Sequence, residues 1–459
     1  MNRPLDGIRI LELGMVFVLP AAILPLAALG ADVIKVEAGK RPDSTRWGPS
    51  PDNEVRPDAL NYGGHFRMLN RNKRGITLDL TNPRGRDLFL QLVAVSDVVA
   101  ENFTPRVIRN LRLDYEALRA VNERIILLSS TGFGQSGPWS NYRAYGPNTE
   151  AVDGLMHVTG YPDGPPQRAG AGGLGVAFTD VAGAYFGTFA ILAALDYRDR
   201  TGCGQWLDLS HYEAGVATIP EALLDFEMNG RVMSRTGNRD RWRAPQGAYR
   251  CSGDDRWVAI SVATDSQFAS LAREMGMPAL ASDERFATLL RRHANHDALD
   301  ALISSWTAAL TAESVEQRLQ RIGVEATSVA TLRDVWLDPQ LRHRGTFQVM
   351  PPPAMAPNIG PRPFLRPSWK MSVSSSATNT DAPTFNQHTD EVLSELLGIS
   401  EPEISQLESE GVISRDPHPG ILPRTGVMDL KDLVRAERLR EVDSQYHTRL
   451  LDWFSDNDS

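Results

Sequence analysis

Asp180 is the residue whose type and position most strongly suggest chemistry. It stands directly before a long apolar segment, VAGAYFGTFAILAALDYRDRTG, whose length and closing Gly202 predict one buried helix. A carboxylate at the positive end of a helix is either an N-cap that accepts free backbone amides or a nucleophile held in that field. The residues alone favour the cap, because Asp is among the preferred N-cap residues.

Other chemical motifs in the chain fail the tests for known sites. The first predicted strand is followed by GMVFVLPAAILPLAALG, which lacks the closely spaced glycines of a dinucleotide-binding turn. Ser136 lies in GQSGP, which does not have the spacing of a nucleophile elbow. His293 and His296 have metal-like spacing, but no HExxH pattern or nearby cysteine accompanies them. The sequence therefore predicts no metal site and no tightly bound cofactor.

Strands and helices alternate through the part of the chain that precedes Asp180. Apolar runs predict strands at 8–13, 32–37, 97–100 and 125–130, separated by helices at 19–29, 84–95 and 115–121. This alternation is typical of an α/β fold with a Rossmann-like, doubly wound parallel sheet.

The chain changes character after about residue 225. Residues 207–229 look helical, and from Tyr249 a predicted strand at 256–262 is followed by several helical stretches. This pattern predicts a smaller inserted α+β domain. The predicted organisation is a large Rossmann-like domain at 1–225, the small domain at 226–330, a return to the large domain at 331–413, and an extension at 414–459 that carries an amphipathic helix at about 429–454.

Composition narrows the classes of function. The net charge of −9 argues against a nucleic-acid binder, which needs a concentrated positive surface. Two cysteines in 459 residues form neither a disulfide framework nor a four-ligand metal site. By inspection no apolar stretch is long enough to span a bilayer, and Met1–Gly7 lacks the features of an export signal. We therefore expect a cytoplasmic protein without a membrane partner.

Eight segments follow one another in order between residues 4 and 398, and their order and spacing carry more information than any single motif does. The segments are PLDGIRILELG, LGADVIKVE, NRNKRGITLDL, ENFTP, GFGQSGP, FTDVAGAYFGTFAILAAL, RDRTGCGQWLDLS and QHTDEVLSELLG. Over residues 4 to about 413 the chain thereby resembles the class III CoA-transferases, the family of formyl-CoA transferase and the carnitine CoA-transferases.

The resemblance implies that Asp180 is a covalent nucleophile as well as a helix cap. Coenzyme A would pass from a donor acyl-CoA to an acceptor carboxylic acid through an aspartyl anhydride and an aspartyl-CoA thioester. We expect the helix end to keep the carboxylate ionised, and backbone amides near Gly172 and Gly173 to stabilise the oxyanions. The resemblance also implies an interlocked homodimer.

The same resemblance assigns contacts with coenzyme A. For Leu78 and Phe103, plain core packing is an equally good interpretation, whereas an arginine suits a phosphate. Arg106, Arg109 and Arg112 are candidates for contact with the phosphates, and the sequence leaves the choice among them open. The assigned residues are Phe17, Val18, Leu78, Asn102, Phe103, Thr104, Arg109, Arg143 and Tyr145.

Two alternatives remain open. An α-methylacyl-CoA racemase of the same fold needs a histidine beside the aspartate, and the sequence has none between Gly132 and Met156. The other alternative is a non-catalytic protein that binds acyl-CoA. Retention of Asp180 with its glycine-rich loop argues against it.

Overall fold

The protein was analysed as a computed structural model that describes residues 3–54, 59–169, 176–352, 359–419, 421, 427–436 and 439–455. The strands are β1 Arg9–Glu12, β2 Asp32–Glu37, β3 Lys73–Thr77, β4 Val98–Glu101, β5 Ile126–Thr131, β6 Trp206–Ser210, β7 Gln246–Arg250, β8 Trp257–Ser261, β9 Glu325–Ser328, β10 Phe347–Met350 and β11 Arg362–Leu365. The helices are α1 Val18–Ala28, α2 Gly64–Leu69, α3 Pro83–Ala94, α4 Pro105–Asn110, α5 Tyr115–Arg119, α6 Gly146–Val152, α7 Leu155–Val158, α8 Phe178–Thr201, α9 His211–Val216, α10 Pro220–Asn229, α11 Asp265–Glu274, α12 Leu289–Ala294, α13 His296–Thr307, α14 Ala312–Arg321, α15 Leu332–Trp336, α16 Pro339–His343, α17 Thr389–Leu397, α18 Glu401–Ser409, α19 Leu430–Arg435 and α20 Tyr446–Ser455.

A six-stranded parallel sheet organises the first part of the chain. Its strand order is β3-β2-β1-β4-β5-β6, and every neighbouring pair runs parallel. The predicted α/β class and its parallel sheet are confirmed. The order of connection reverses between β1 and β4, and in sheets of this kind ligands bind at the carboxyl ends of the strands at such a point.

Both faces of this sheet are covered by apolar side chains. Ile10 of β1 packs into one buried cluster with α1 and α8, whereas Leu11 faces a second cluster with α3 and α17. Val33 and Ile34 of β2 divide in the same way, because successive side chains of a strand point to opposite faces. Burial on both faces explains why these strands read as continuous apolar runs.

Two strands of the sheet differ from the sequence-based expectation. The prediction of helix over 207–229 was wrong at its start, since β6 occupies Trp206–Ser210 and two helices follow it. β3 was not predicted either. It begins with Lys73, a charged residue that is nevertheless buried because its Nζ lies 2.7 Å from Glu12 Oε2. Both are the outermost strands of the sheet, where apolar patterning is weakest.

The described residues form two compact units. One contains Met1–Met156, Arg168–Gly230 and Pro339–Ser459, and the other contains His157–Gln167 and Arg231–Asp338. The second unit has an antiparallel sheet, β7-β8-β9, and a core of its own around Phe268.

The C-terminal part contains one element as predicted and one that differs. Helix α17 lies at Thr389–Leu397, as expected. The single amphipathic helix expected at 429–454 is instead two shorter helices, α19 and α20. Asp429 caps α19, and Asp443 accepts a hydrogen bond from Gln445 N at 3.0 Å just before α20 begins. The aspartate at the second start was overlooked in the sequence.

Helix α8 bears on the question of a membrane. It is 24 residues long and apolar enough by composition to cross a bilayer, so the expectation that no such stretch exists was wrong. Half of its most apolar stretch is buried against the rest of the fold. One such helix is weak support for a membrane span, because the core helices of globular proteins pass the same test.

Candidate active site

Asp180 lies inside the first turn of α8. The prediction that it stands before the helix was wrong, since Ala177 is the N-cap residue and Asp180 is the third helical residue. At this position the side chain folds back towards the start of the helix, and Asp180 Oδ2 accepts a hydrogen bond from Ala177 N at 3.3 Å. The carboxylate therefore still lies at the positive end of α8.

Helix α6 packs directly against this carboxylate through a glycine. A Cβ placed on Gly146 would lie only 2.3 Å from Asp180 Oδ2, so any larger residue would collide with the carboxylate. The hydroxyls of Thr149 and Thr179 both donate to Gly146 O, at 2.8 and 3.2 Å. These buried bonds fix the start of α6 against the start of α8.

The surroundings of Asp180 make it unusually basic for a carboxylate. Only 8% of the residue is exposed, and burial raises its pKa from 3.8 to about 6. The Ala177 amide and the positive charge of Arg168 oppose this rise, whereas the negative charge of Glu150 adds to it. The helix end favours the ionised carboxylate but does not fully offset burial, so Asp180 is mostly ionised above about pH 6 and mostly protonated below it.

A second group of predicted residues lies where β1 and β4 end side by side. The amide of Asn102 spans the gap: its Oδ1 accepts from Met15 N at 3.0 Å and its Nδ2 donates to Met15 O at 2.9 Å. The next residue, Val16, has a positive φ of 68°, which is strained for a β-branched residue. Asp43 Oδ1 accepts from Val16 N at 3.2 Å and helps to hold this turn.

The strained turn leads directly into α1 and towards the nucleophile. Phe17 is the N-cap residue of α1 and Val18 its first helical residue. A Cβ placed on Gly183, one turn after Asp180 in α8, would lie 3.3 Å from Val18 Cγ1. The start of α1 therefore contacts α8 next to its first turn, which brings Phe17, Val18 and Asp180 into one neighbourhood.

The remaining residues assigned to coenzyme A have mixed surroundings. Leu78 is only 1% exposed and belongs to the apolar core, and half-buried Phe103 packs against the same cluster. Thr104 is exposed at the start of α4. For Leu78 and Phe103 the structure shows the core packing that was the alternative interpretation, and their contact with coenzyme A stays a prediction.

The predicted cations lie on the surface. Arg109 is exposed on α4 and donates to Gln135 O at 3.5 Å. Arg143 is exposed in the segment before α6, and exposed Tyr145 is the N-cap residue of that helix, next to Gly146. Arg106 and Arg112 are exposed as well, so burial does not decide which arginine meets phosphate.

Gly172 and Gly173, the predicted oxyanion glycines, lie outside the residues that the structure describes.

Among the described residues, no three His, Cys, Asp or Glu side chains are grouped as metal ligands. His296, half of the metal-like pair, instead has its Nε2 near Gln246 N, at 3.4 Å.

Sequence reasoning missed three residues around Asp180, namely Gly146, Glu150 and Arg168. Gly146 and Glu150 lie four positions apart on α6, on one face of that helix. Glu150 is fully buried, which is rare for a glutamate and points to a special role. Burial cannot be read from the sequence, so no signal in the sequence marked this residue.

This site belongs to an enzyme of a known family. The family model described as CoA-transferase family III matches residues 5–389, so the chain is a class III CoA-transferase, and the resemblance stated above is confirmed.

Named relatives extend over most of the chain. It is 33% identical over 415 residues to the succinyl-CoA–D-citramalate CoA-transferase of Chloroflexus aurantiacus, covering 90% of this chain and 98% of that protein. It is 32% identical over 415 residues to the succinyl-CoA:glutarate CoA-transferase of Mus musculus, covering 90% and 91%. A solved CAIB/BAIF family protein from Brucella suis is 34% identical with a TM-score of 0.76, covering 86% of this chain and 100% of that one.

Proposed function

We propose that this enzyme moves coenzyme A from a donor acyl-CoA to a free carboxylic acid through covalent intermediates on Asp180. The observation that carries the proposal is the setting of Asp180: a buried carboxylate at a helix start, beside the carboxyl ends of β1 and β4. Above pH 6 this carboxylate is ionised and poorly solvated, which are the conditions that favour attack on a thioester.

The first half of the reaction loads coenzyme A onto the protein. An Asp180 oxygen attacks the thioester carbon of the donor, the carbon–sulfur bond breaks, and the coenzyme A thiolate leaves a mixed anhydride behind. The thiolate then attacks the Asp180 carbonyl carbon and releases the donor as a free carboxylate. The product is an aspartyl-CoA thioester, which conserves the energy of the thioester bond.

The second half repeats these steps in reverse with the acceptor. The acceptor carboxylate attacks the aspartyl-CoA thioester and expels the thiolate, and a second anhydride forms. The thiolate attacks the acyl carbon of this anhydride, and the new acyl-CoA leaves. Asp180 is again a free carboxylate, so atoms and charge balance over the cycle.

Succinyl-CoA is the donor that we propose, because both relatives described above carry it in their names. The acceptor would be a small carboxylic acid. Coenzyme A thus enters and leaves as part of the substrates, and the proposed mechanism requires no resident cofactor or metal.

A racemase mechanism has less support at this site. Two-base proton exchange needs a second acid or base beside Asp180. His211, on the neighbouring α9, is buried and its Nε2 lies 2.8 Å from Ser130 Oγ. Burial lowers the pKa of His211 to about 4, so this imidazole is neutral at the pH at which Asp180 is ionised. Both groups are then in their base forms, and neither carries the proton that racemisation must return to the substrate.

We also propose a cytoplasmic, interlocked homodimer in which the second compact unit is an inserted small domain. An apolar stripe along the outer face of α8 supports association with another chain, and its Phe189 is 71% exposed. The other members of the stripe are Phe178, Tyr185, Phe186 and Tyr197. Light scattering at micromolar concentration should give twice the chain mass, and a monomer would contradict the dimer.

Mass spectrometry tests the covalent chemistry. After incubation with succinyl-CoA and no acceptor, the peptide that contains Asp180 should carry coenzyme A, and hydroxylamine should convert it to a hydroxamate. The Asp196→Asn variant changes an exposed aspartate of the same helix and should still form the adduct. Full transfer by an Asp180→Asn variant would overturn the proposal.

A further inference from the structure

Helix α6 presents two consecutive turns to the region of Asp180. Gly146 closely approaches the carboxylate, and Glu150, one turn later on the same face of α6, is fully buried. A buried glutamate needs a compensating charge and hydrogen-bond donors, because an isolated carboxylate is costly to remove from water. Both are supplied by a short stretch of chain that precedes α8.

Arg168 and Ala169 supply them. Arg168 Nε lies 3.8 Å from Glu150 Oε2, and the amide of Ala169 donates a hydrogen bond to Glu150 Oε1. Arg168 also reaches forward, where its Nη2 donates to Val176 O at 3.1 Å. Val176 is followed by Ala177, whose amide binds Asp180. One guanidinium thus links α6 to the chain that leads into the nucleophile.

The charged and titratable groups near Asp180 belong to the segment before α8, to α6 with its C-cap residue, and to α9. Arg168 is positive and lies before α8; Glu150 and Asp153 are acidic and belong to α6 and its C-cap. His211 on α9 packs near Gly183 and is neutral. Of these groups, Arg168 lowers the pKa of Asp180 and Glu150 raises it, whereas Asp153 instead interacts with Glu150.

We propose that Glu150 and Arg168 are a positioning pair for Asp180, which orients the entry to α8 and places two opposite charges beside the nucleophile. The inference rests on the proposed function. Neither residue reacts with substrate. Arg168, which Val176 O holds as well as Glu150, favours the ionised form of Asp180, and the charge of Glu150 opposes it. Glu150→Gln therefore removes a charge and leaves the guanidinium bound to Val176 O. The enzyme therefore needs both members, but their removal acts on Asp180 in opposite electrostatic directions.

The test is the pH dependence of kcat/KM with succinyl-CoA in the full-length enzyme. Arg168→Gln should move the acid limb to higher pH, and Glu150→Gln should move it to lower pH, each by about half a unit or more. Arg168→Lys keeps the charge and should return the limb towards wild type. A merely structural role would lower the rate without opposed shifts of the limb.

A matched pair controls for nonspecific charge effects. Arg84 and Glu410 form an exposed ion pair at 2.7 Å in the same compact unit, and Arg84→Gln and Glu410→Gln should leave the limb unchanged. Circular dichroism establishes which variants fold. If Glu150→Gln does not fold, the comparison of Arg168→Gln with Arg168→Lys still decides the charge effect of the pair.

The outcomes separate this inference from the proposed function. If the wild-type enzyme forms no adduct on Asp180, the covalent mechanism fails whatever the pH profiles show. If the adduct forms but the Gln variants shift the limb in the same direction, or not at all, the positioning pair is wrong and the mechanism stands.

Discussion

Two buried groups of charges in this enzyme are built in different ways. Near the carboxyl ends of β1 and β2 lies a group of four charged residues that are almost completely buried and form ion pairs with one another at 2.7–3.4 Å. They are Glu12, Lys35, Asp43 and Lys73. At the start of α8, Asp180 has one backbone amide at 3.3 Å, and the side chains around it have opposite signs.

The pKa values of the carboxylates Asp43 and Asp180 follow this difference, although burial lowers the pKa of Lys73 in the first group to about 8. Burial raises the pKa of Asp43, but attraction to Lys35 and hydrogen bonds from Thr45 bring it below its ordinary value. For Asp180 the compensation is incomplete, and burial leaves the pKa at about 6. Fully paired buried charges are typical of structural networks, whereas an incompletely compensated carboxylate beside a ligand-binding edge is typical of a reactive group.

The largest expected effect is the loss of the nucleophile. Asp180→Asn keeps the size and a hydrogen-bond acceptor but cannot form the anhydride, so kcat should fall by roughly 10⁴-fold or more. A steady-state assay with succinyl-CoA and a panel of acids measures this. Asp196→Asn, on the same helix, should remain within about twofold of wild type. Comparable losses in both variants would remove the distinction between the two aspartates.

Breaking the paired network should affect stability. Lys73→Met leaves Glu12 Oε2 without its partner at 2.7 Å, and we expect a loss of about 3–5 kcal/mol in the free energy of unfolding. Denaturant titration measures it. Lys40→Met removes an exposed lysine paired with Asp79 and should have little effect. Equal losses of unfolding free energy in Lys73→Met and Lys40→Met would show that the buried ion pairs stabilise the protein no more than an exposed pair does.

The close approach of α6 to the nucleophile should be sensitive to one methyl group. Gly146→Ala places a Cβ 2.3 Å from Asp180 Oδ2, so the carboxylate must move, and we expect kcat/KM to fall by about 10²-fold. Gly164→Ala is a control, since the nearest atom to its added Cβ is 3.6 Å away. Unchanged activity of Gly146→Ala would contradict the described position of Asp180.

The smallest effect is a gain in stability when the nucleophile is neutralised. Because the folded-state pKa of Asp180 is raised from 3.8 to about 6, its ionisation opposes folding above pH 6. Asp180→Asn should therefore stabilise the protein at pH 8 by about 1–3 kcal/mol. The gain should shrink as the pH falls through 6 and vanish below about 3.8, where both side chains are neutral. Thermal unfolding at several pH values tests this, and destabilisation at pH 8 would contradict it.

The fold was predictable where sequence patterning is local. Strands β1 and β2 and helices α1 and α17 follow from apolar runs and turn residues that lie next to one another in the chain. Strand β6 escaped because its burial alternates and it directly precedes a helix. Its position at the edge of the sheet is a property of the whole fold.

The candidate site divides in the same way. Asp180 is recognisable from its place before a long apolar segment together with the ordered motifs around it. Glu150 and Arg168 are separated by 18 positions, and their contact depends on how α6 packs against the start of α8. No local pattern in the sequence encodes that contact, so only the structure could show that opposite charges meet beside the nucleophile.

The central claim is that Asp180 exchanges an oxygen with the substrates. In the proposed mechanism the bridging oxygen of the second anhydride comes from the acceptor and stays on Asp180. With an acceptor labelled with ¹⁸O in its carboxylate, mass spectrometry should find one ¹⁸O in the peptide that contains Asp180 after a single turnover. Later turnovers should pass the label into the released succinate. Absence of label from both Asp180 and succinate, with normal formation of the new acyl-CoA, would contradict the account.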